Sequence, residues 1–259
     1  MEAMDAPLRN SLWNTFVGTG LYPGDAFYME TLRGAEAPIF RRLWVSFFKL
    51  PEDELKDAFS SERDLVLSQY LALEWNEVYD FIEFVASNAE KGSEFVKRCN
   101  QVLERERSGY RFVDRYVTPI SSDIEIASLE EAGNTPYHHV NAHIHQALLL
   151  MSNRKQPDFR NSIKESISAV EAIAKSITGL PRATLSEALA SLENEKGVHS
   201  ALKAAFSKLY GYTSAADGIR HALLEESSLG FDDAKFMLVA CSAFVNYVIA
   251  RHSKIEEVS

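Results

Sequence analysis

The residues best suited to chemistry lie between Leu209 and Leu223, in the run Leu-Tyr-Gly-Tyr-Thr-Ser-Ala-Ala-Asp-Gly-Ile-Arg-His-Ala-Leu. Gly211, Gly218, Thr213, Ser214 and Asp217 predict a loop that leads into a short helix near Gly218. Arg220 and His221 then occupy the first helical turn. Free backbone N–H groups, the positive end of the helix dipole and a guanidinium converge there, which suits the place to a phosphate. A histidine beside them can move a proton near neutral pH. Arg220 and His221 are therefore the catalytic candidates, with Ser214 and Asp217 as substrate-binding groups from the loop. Adjacent helical residues point about 100° apart, so the pair aims at one phosphate only in a loose turn or where a partner chain completes the site. The competing reading is structural: a helix start whose arginine is a surface charge and whose histidine is packed.

A second polar cluster is His138, His139, His143 and His145. His139 and His143 stand four apart, on one helical face, as in metal-binding helices. No glutamate lies between them in the HExxH manner, and no third ligand follows at a recognisable spacing. A metal-dependent hydrolase would have to start from that pair; the alternative is a set of structural histidines. The chain has no GxxxxGK[ST], GxGxxG or GxSxG, so no nucleotide or redox cofactor is expected. Cys99 and Cys241 sit on separate helical patterns far apart in sequence, which predicts two free thiols in a reducing compartment.

Charge separates the chain into halves. Of 27 basic and 37 acidic side chains, residues 1–136 hold 14 and 24, leaving 13 of each sign in 137–259. An acidic first half does not by itself attract a nucleic-acid backbone, whose binding is dominated by phosphate neutralisation. All seven histidines fall in 137–259, so imidazole chemistry belongs to the second half. The start, MEAMDAPLRN, has neither a basic stretch nor an apolar run, and no stretch approaches the roughly 20 apolar residues of a membrane span. A cytoplasmic protein without membrane contact is the expectation.

Helices must position these groups. Leu8, Leu12 and Phe16 recur at helical spacing behind Pro7. Residues 36–49 carry Ile39, Phe40, Leu43, Trp44, Phe47 and Phe48 and stop at Pro51. Residues 62–87 repeat the period through Leu65, Leu67, Leu71, Trp75, Val78, Phe81, Ile82 and Val85, and a charged helix covers about 91–108. Around 110–119, Tyr110-Arg-Phe-Val113 and Tyr116-Val-Thr118 flank Asp114-Arg115 as a β-hairpin. Ser122 with Glu125, and Thr184 with Glu187, read as capping boxes. Gly133-Asn-Thr-Pro136 marks a boundary between domains 1–135 and 136–259. Beyond it, helices are predicted at 137–151, 158–178, 185–194, 198–210 and 232–252, an up-down bundle. The last is apolar on more than one face through Phe236, Leu238, Val239, Phe244, Val248 and Ile249, which predicts a homodimer through the second half. The fold class is mainly α: an N-terminal helical domain with a small hairpin, then a helical bundle.

Arg160-Asn-Ser-Ile-Lys-Glu-Ser-Ile-Ser-Ala-Val-Glu-Ala-Ile-Ala-Lys-Ser-Ile-Thr-Gly179 resembles the long helix of HEPN domains in AbiJ-type abortive-infection proteins. Tyr210-Gly-Tyr-Thr-Ser214, Gly218-Ile-Arg-His221 and Phe236-Met-Leu-Val-Ala-Cys-Ser-Ala-Phe-Val-Asn-Tyr247 are similar to the same family. Leu8-Arg-Asn-Ser-Leu-Trp-Asn14, Tyr79-Asp-Phe-Ile-Glu83 and Tyr110-Arg-Phe-Val113 resemble an AbiJ N-terminal domain. The resemblance implies a dimeric, metal-independent endoribonuclease of anti-phage defence, with RNA as substrate and no cofactor. It implies an active site in which an arginine and a histidine, with four to six residues between them, meet their copies across a dimer. None of the fifteen arginines here has a histidine at that spacing, so Arg220 stands directly beside His221 instead. Three functions follow: a ribonuclease effector, a catalytically silent binding or regulatory module, and a metal-dependent hydrolase built on His138–His145.

Overall fold

The computed structural model describes residues 4–19, 38–55, 59–89, 92–215 and 229–256. It is mainly helical, with eleven α-helices and one two-stranded hairpin among the described residues. The chain divides into two compact units, Met1–Pro119 and Ile120–Ser259.

In the first unit, α1 (Ala6–Gly18) begins where Asp5 accepts the Leu8 N–H and Pro7 sits in the first turn. α2 (Pro38–Arg42) passes into a π-helical turn, Leu43–Phe47, and ends where the Trp44 indole N–H donates to the Pro51 carbonyl at 2.7 Å. The single period expected over 62–87 is two helices, α3 (Phe59–Ala72) and α4 (Trp75–Asn88). The break has two causes. Arg9 donates to the Leu73 carbonyl at 2.7 Å and so caps the end of α3, while Glu74 and Glu77 form a capping box that starts α4. Among the described side chains of α3, Val66 and Tyr70 are buried, and Leu71, expected inside, is 51% exposed. α5 (Gly92–Arg105) follows. Gly92 is required there, because a Cβ would lie 2.2 Å from the Ala86 carbonyl oxygen. β1 (Arg111–Val113) and β2 (Tyr116–Thr118) pair antiparallel with Phe112 opposite Val117, as a turn of two residues at Asp114-Arg115 requires, and Asp114 takes the left-handed turn conformation. The Asn100 side chain bonds both the N–H and the carbonyl of Phe112, fastening the hairpin to α5.

The core of this unit is built of rings. Phe81 lies within 6.4 Å, centroid to centroid, of Trp13, Phe16, Phe47, Phe48 and Tyr70. Such tilted and edge-on contacts add to the apolar area the rings bury.

The second compact unit starts at Ile120. α6 (Asp123–Gly133) packs on α7 (His138–Ser152) and α11 (Phe231–Glu256), so the breakers at 133–136 form a link inside that unit. Only one half of the capping box expected at α6 is made, Ser122 accepting the Glu125 N–H. α8 (Phe159–Thr178) starts at Asp158 and stops at left-handed Gly179, as expected. α9 (Leu185–Lys196) carries the full Thr184–Glu187 capping box. α10 (Ser200–Ala215) runs on past the predicted end at 210.

α11 is long and apolar enough to cross a bilayer by length and composition alone. Its buried face, through Ala234, Met237, Leu238, Cys241 and Val245, is that of a core helix. Of the six residues expected to exceed one seam, Leu238, Phe244 and Val248 are buried within the unit itself, while Phe236 is 59% exposed.

All three tryptophans lie in the first unit, so their fluorescence reports on it alone. Phe81→Ala should destabilise that unit by about 3–5 kcal/mol, seen as an earlier urea transition by fluorescence. A loss below about 1 kcal/mol would show that the ring cluster does not hold the unit together.

Candidate functional site

α7 and α8 run antiparallel. Ser162 donates to the Ala147 carbonyl at 2.8 Å, and one turn further along Glu165 meets His143. The small buried residues Ser162, Ser166 and Ala169 let the two helices approach closely. On the outer side of this seam lies a cleft of about 410 Å³, lined by His139, His143, Ser168, Glu171, Lys175 and Ser176.

The four histidines separate by helical angle. His139 and His143 share the cleft, as their spacing predicts. His145 turns towards α6, where a Cβ on Gly133 would lie 3.1 Å from its Nε2. His138 is exposed.

Within the cleft, His143 Nδ1 is 2.6 Å from Glu165 Oε2. An ionised carboxylate only accepts, so Nδ1 donates in this pair, and Nε2 accepts when the ring is neutral and donates when it is protonated. Lys175 Nζ lies 2.6 Å from Glu171 Oε1 on the next turns of α8. Two imidazoles, an ammonium and hydroxyls can bind and protonate a polar ligand. Among the described residues no three histidine, cysteine, aspartate or glutamate side chains come together as a metal site would need. The hydrolase reading is left with two imidazoles, one of them held by a carboxylate.

Arg220, His221 and Asp217 lie outside the described residues. Ser214 lies on α10, and the loop expected from Leu209 onward is helical as far as Ala215. A lone Gly211 costs a helix only about 1 kcal/mol, too little to end one that Leu209, Tyr210 and Tyr212 extend.

Sequence reasoning missed Glu165, Glu171 and Lys175. The Glu171–Lys175 spacing was the one available signal, since i,i+4 pairs of that order face each other. Nothing in the spacing of Glu165 from His143 indicates their contact, which depends on the register of two packed helices.

Cys99 and Cys241 are both buried and unpaired with each other. Burial disfavours the thiolate of Cys99 and pushes the Cys241 thiol up to about 12.

Residues 1–135 match the family described as AbiJ N-terminal domain 4, which is just over half of the chain. No curated protein and no solved structure shows a significant match.

Two outcomes are expected. The purified protein should retain less than one equivalent of zinc after dialysis, and a chelator should leave its unfolding temperature unchanged. Stoichiometric zinc lost in His139→Ala would restore the metal reading. Near neutral pH neither thiol should react with a disulfide reagent until the chain is unfolded, since the thiolate is the nucleophile and burial suppresses it. Raising the pH towards 12 should speed the reaction of Cys241 only where the fold opens enough to admit the reagent.

Proposed function

We propose, for a chain that belongs to the AbiJ N-terminal domain 4 family, an endoribonuclease effector whose second unit is a HEPN-like domain acting without a metal. Membership of that family associates the chain with abortive infection, a form of anti-phage defence. The observation that supports the finer reading is an AbiJ-family match that ends at residue 135 and leaves most of the second helical unit beyond it. In that second unit, residues 160–179, 210–214, 218–221 and 236–247 are the ones that resemble HEPN domains.

In this reading the ribose 2′-OH of RNA attacks the adjacent phosphorus. The P–O5′ bond breaks, and the products are a 2′,3′-cyclic phosphate and a 5′-hydroxyl. Arg220 neutralises the charge that builds on the phosphoryl oxygens, and its planar fork makes the two-point contact. His221 moves the proton between the 2′-OH and the leaving oxygen. Two such sites meet across a homodimer formed on the face of α11 that bears exposed Phe236 and Ala243. The second reading, a silent binding module, rests on the missing arginine-to-histidine spacing.

Induced expression in growing cells, with RNA integrity followed over time, tests the proposal. Growth arrest with RNA cleavage is expected. His221→Ala should lower cleavage by about 10²–10⁴ and leave the fold intact. Arg220→Lys should rescue poorly, because an ammonium lacks the planar contact. A change below about tenfold in His221→Ala would remove it from the mechanism. No cleavage of any RNA and no arrest would favour the binding module. Sedimentation of the purified chain as a dimer rather than at 29.1 kDa is the matching expectation for assembly.

A further inference from the structure

The first unit contains a polar groove that neither its core nor the nuclease reading uses. α1 and α5 bury one face each, through Leu8, Leu12 and Phe16 on α1 and Phe95, Cys99 and Leu103 on α5. Their outer edges leave a groove of about 370 Å³, lined chiefly by Ser11, Asn14 and Thr15 on α1 and by Arg98, Gln101 and Arg105 on α5. Asn14 and Thr15 stand three and four residues beyond Ser11, and Arg98, Gln101 and Arg105 step by three and four, so each trio lies along one edge of its helix. The volume falls in the range of small-molecule sites, about 300–1,000 Å³.

We propose that this groove binds a small phosphate-bearing ligand of the nucleoside polyphosphate class. Both guanidiniums are already oriented across it. Arg98 donates from Nε to Glu94 at 2.8 Å and from Nη1 to the Gly18 carbonyl at 3.1 Å. Arg105 donates from Nε to Glu106 at 2.9 Å and from Nη2 to the Ser11 hydroxyl at 3.0 Å. A guanidinium has five N–H donors, so each retains donors for a ligand after these contacts. Pre-orientation lowers the entropy that binding must overcome.

Glu94 holds the Nε edge of Arg98, and Glu106 Oε1 meets both Nε and Nη2 of Arg105 and accepts from the Ser11 hydroxyl; neither carboxylate is among the residues lining the groove. Its remaining groups, the Asn14 and Gln101 amides and the hydroxyls, can serve a sugar or a base. Seven residues of helix separate the arginines by about 10.5 Å along the axis, which suits an extended polyphosphate better than a single phosphate. The surroundings decide between a small ligand and a polymer. Residues 1–119 carry 20 acidic against 14 basic side chains, so a long polyanion meets repulsion along its length. A small ligand meets the two arginines within roughly one screening length of about 8 Å.

Calorimetric titration of the full chain at low salt tests this, with magnesium-free ATP, inorganic pyrophosphate and adenosine as probes. ATP should bind and weaken as salt is added. Pyrophosphate should bind less tightly, and adenosine not measurably. The double change Arg98→Gln with Arg105→Gln should weaken ATP by about tenfold or more. Asn14→Asp touches neither arginine and should also weaken ATP by placing a carboxylate in the groove, which keeps the test open if the double variant fails to fold. Absence of ATP and pyrophosphate binding at millimolar concentration would overturn the proposal. So would unchanged affinity in the folded variants, or a short single-stranded RNA binding more tightly than ATP through the same residues. None of these outcomes bears on cleavage by the second unit.

Discussion

The second unit depends on covering one helix from several sides at once. The buried stripe of α8 runs from Ser162 and Ile163 through Ile167, Val170 and Ile173 to Ile177. That stripe is wide, and α7, α9 and α11 all pack on it. Full burial of such aliphatic side chains is worth about 1.5–3 kcal/mol each, which pulls the neighbours in. Small residues then decide how near they come. Ser162 is buried and can be so because its hydroxyl donates to a helical carbonyl of α7 at 2.8 Å. The same contact sets the α7–α8 register. Once Ala147 stands against Ser162, helical geometry brings His143 to Glu165 a turn away. The imidazole–carboxylate pair is thus a consequence of core packing, and the cleft is what the two helices leave uncovered beside it.

The first unit reaches order by another route. Its centre is a set of rings around Phe81, contributed by α1, by the π-helical turn after α2, and by α3 and α4. Rings bury large areas and prefer tilted or edge-on contact, so a few of them can fix several short helices. Polar side chains finish the joints. The Tyr70 hydroxyl donates to the Arg9 carbonyl at 2.8 Å while Arg9 caps the end of α3, so α1 and α3 lock each other. Burial holds the Tyr70 phenol above its ordinary value, which keeps it a neutral donor. With one face of α1 committed to the rings, its serine, asparagine and threonine edge has no place but the solvent side beside α5.

Much of this was legible in the residues. Apolar spacing located α1, α4, α8 and α11, and the Thr184–Glu187 and Asp158 caps were readable because their bonds are local in sequence. The β-hairpin at 111–118 was readable for the same reason. What escaped depended on contacts between distant segments. The break between α3 and α4 is made in part by Arg9, sixty-four residues from the carbonyl it caps. The start of the second unit at Ile120 is made by α11, whose Asn246 donates to the Ser128 carbonyl of α6 at 3.0 Å. Breakers at 133–136 signal the end of a helix correctly but do not say which core that helix joins. The family match also ends at residue 135, so the sequence boundary and the packing boundary are different things in this chain.

Charge then limits what each unit can meet. The first unit, residues 1–119, holds 20 acidic against 14 basic side chains, and the second, residues 120–259, holds 17 against 13. Attraction for a long polyanion scales with the phosphates neutralised, and an acidic surface works against it over the whole contact. A less acidic unit works against it less, provided that its cations gather at one place. A ribonuclease reading therefore has to draw its substrate contacts from the second unit, where Arg220 stands at a predicted helix start. The first unit has cations too, but two of them, Arg98 and Arg105, are each tied by Nε to a neighbouring carboxylate. Those carboxylates cancel long-range pull and leave the directional N–H donors in place. Such an arrangement discriminates by geometry at short range, which is what a unit recognising a small anionic ligand needs and what a polymer-binding surface does not.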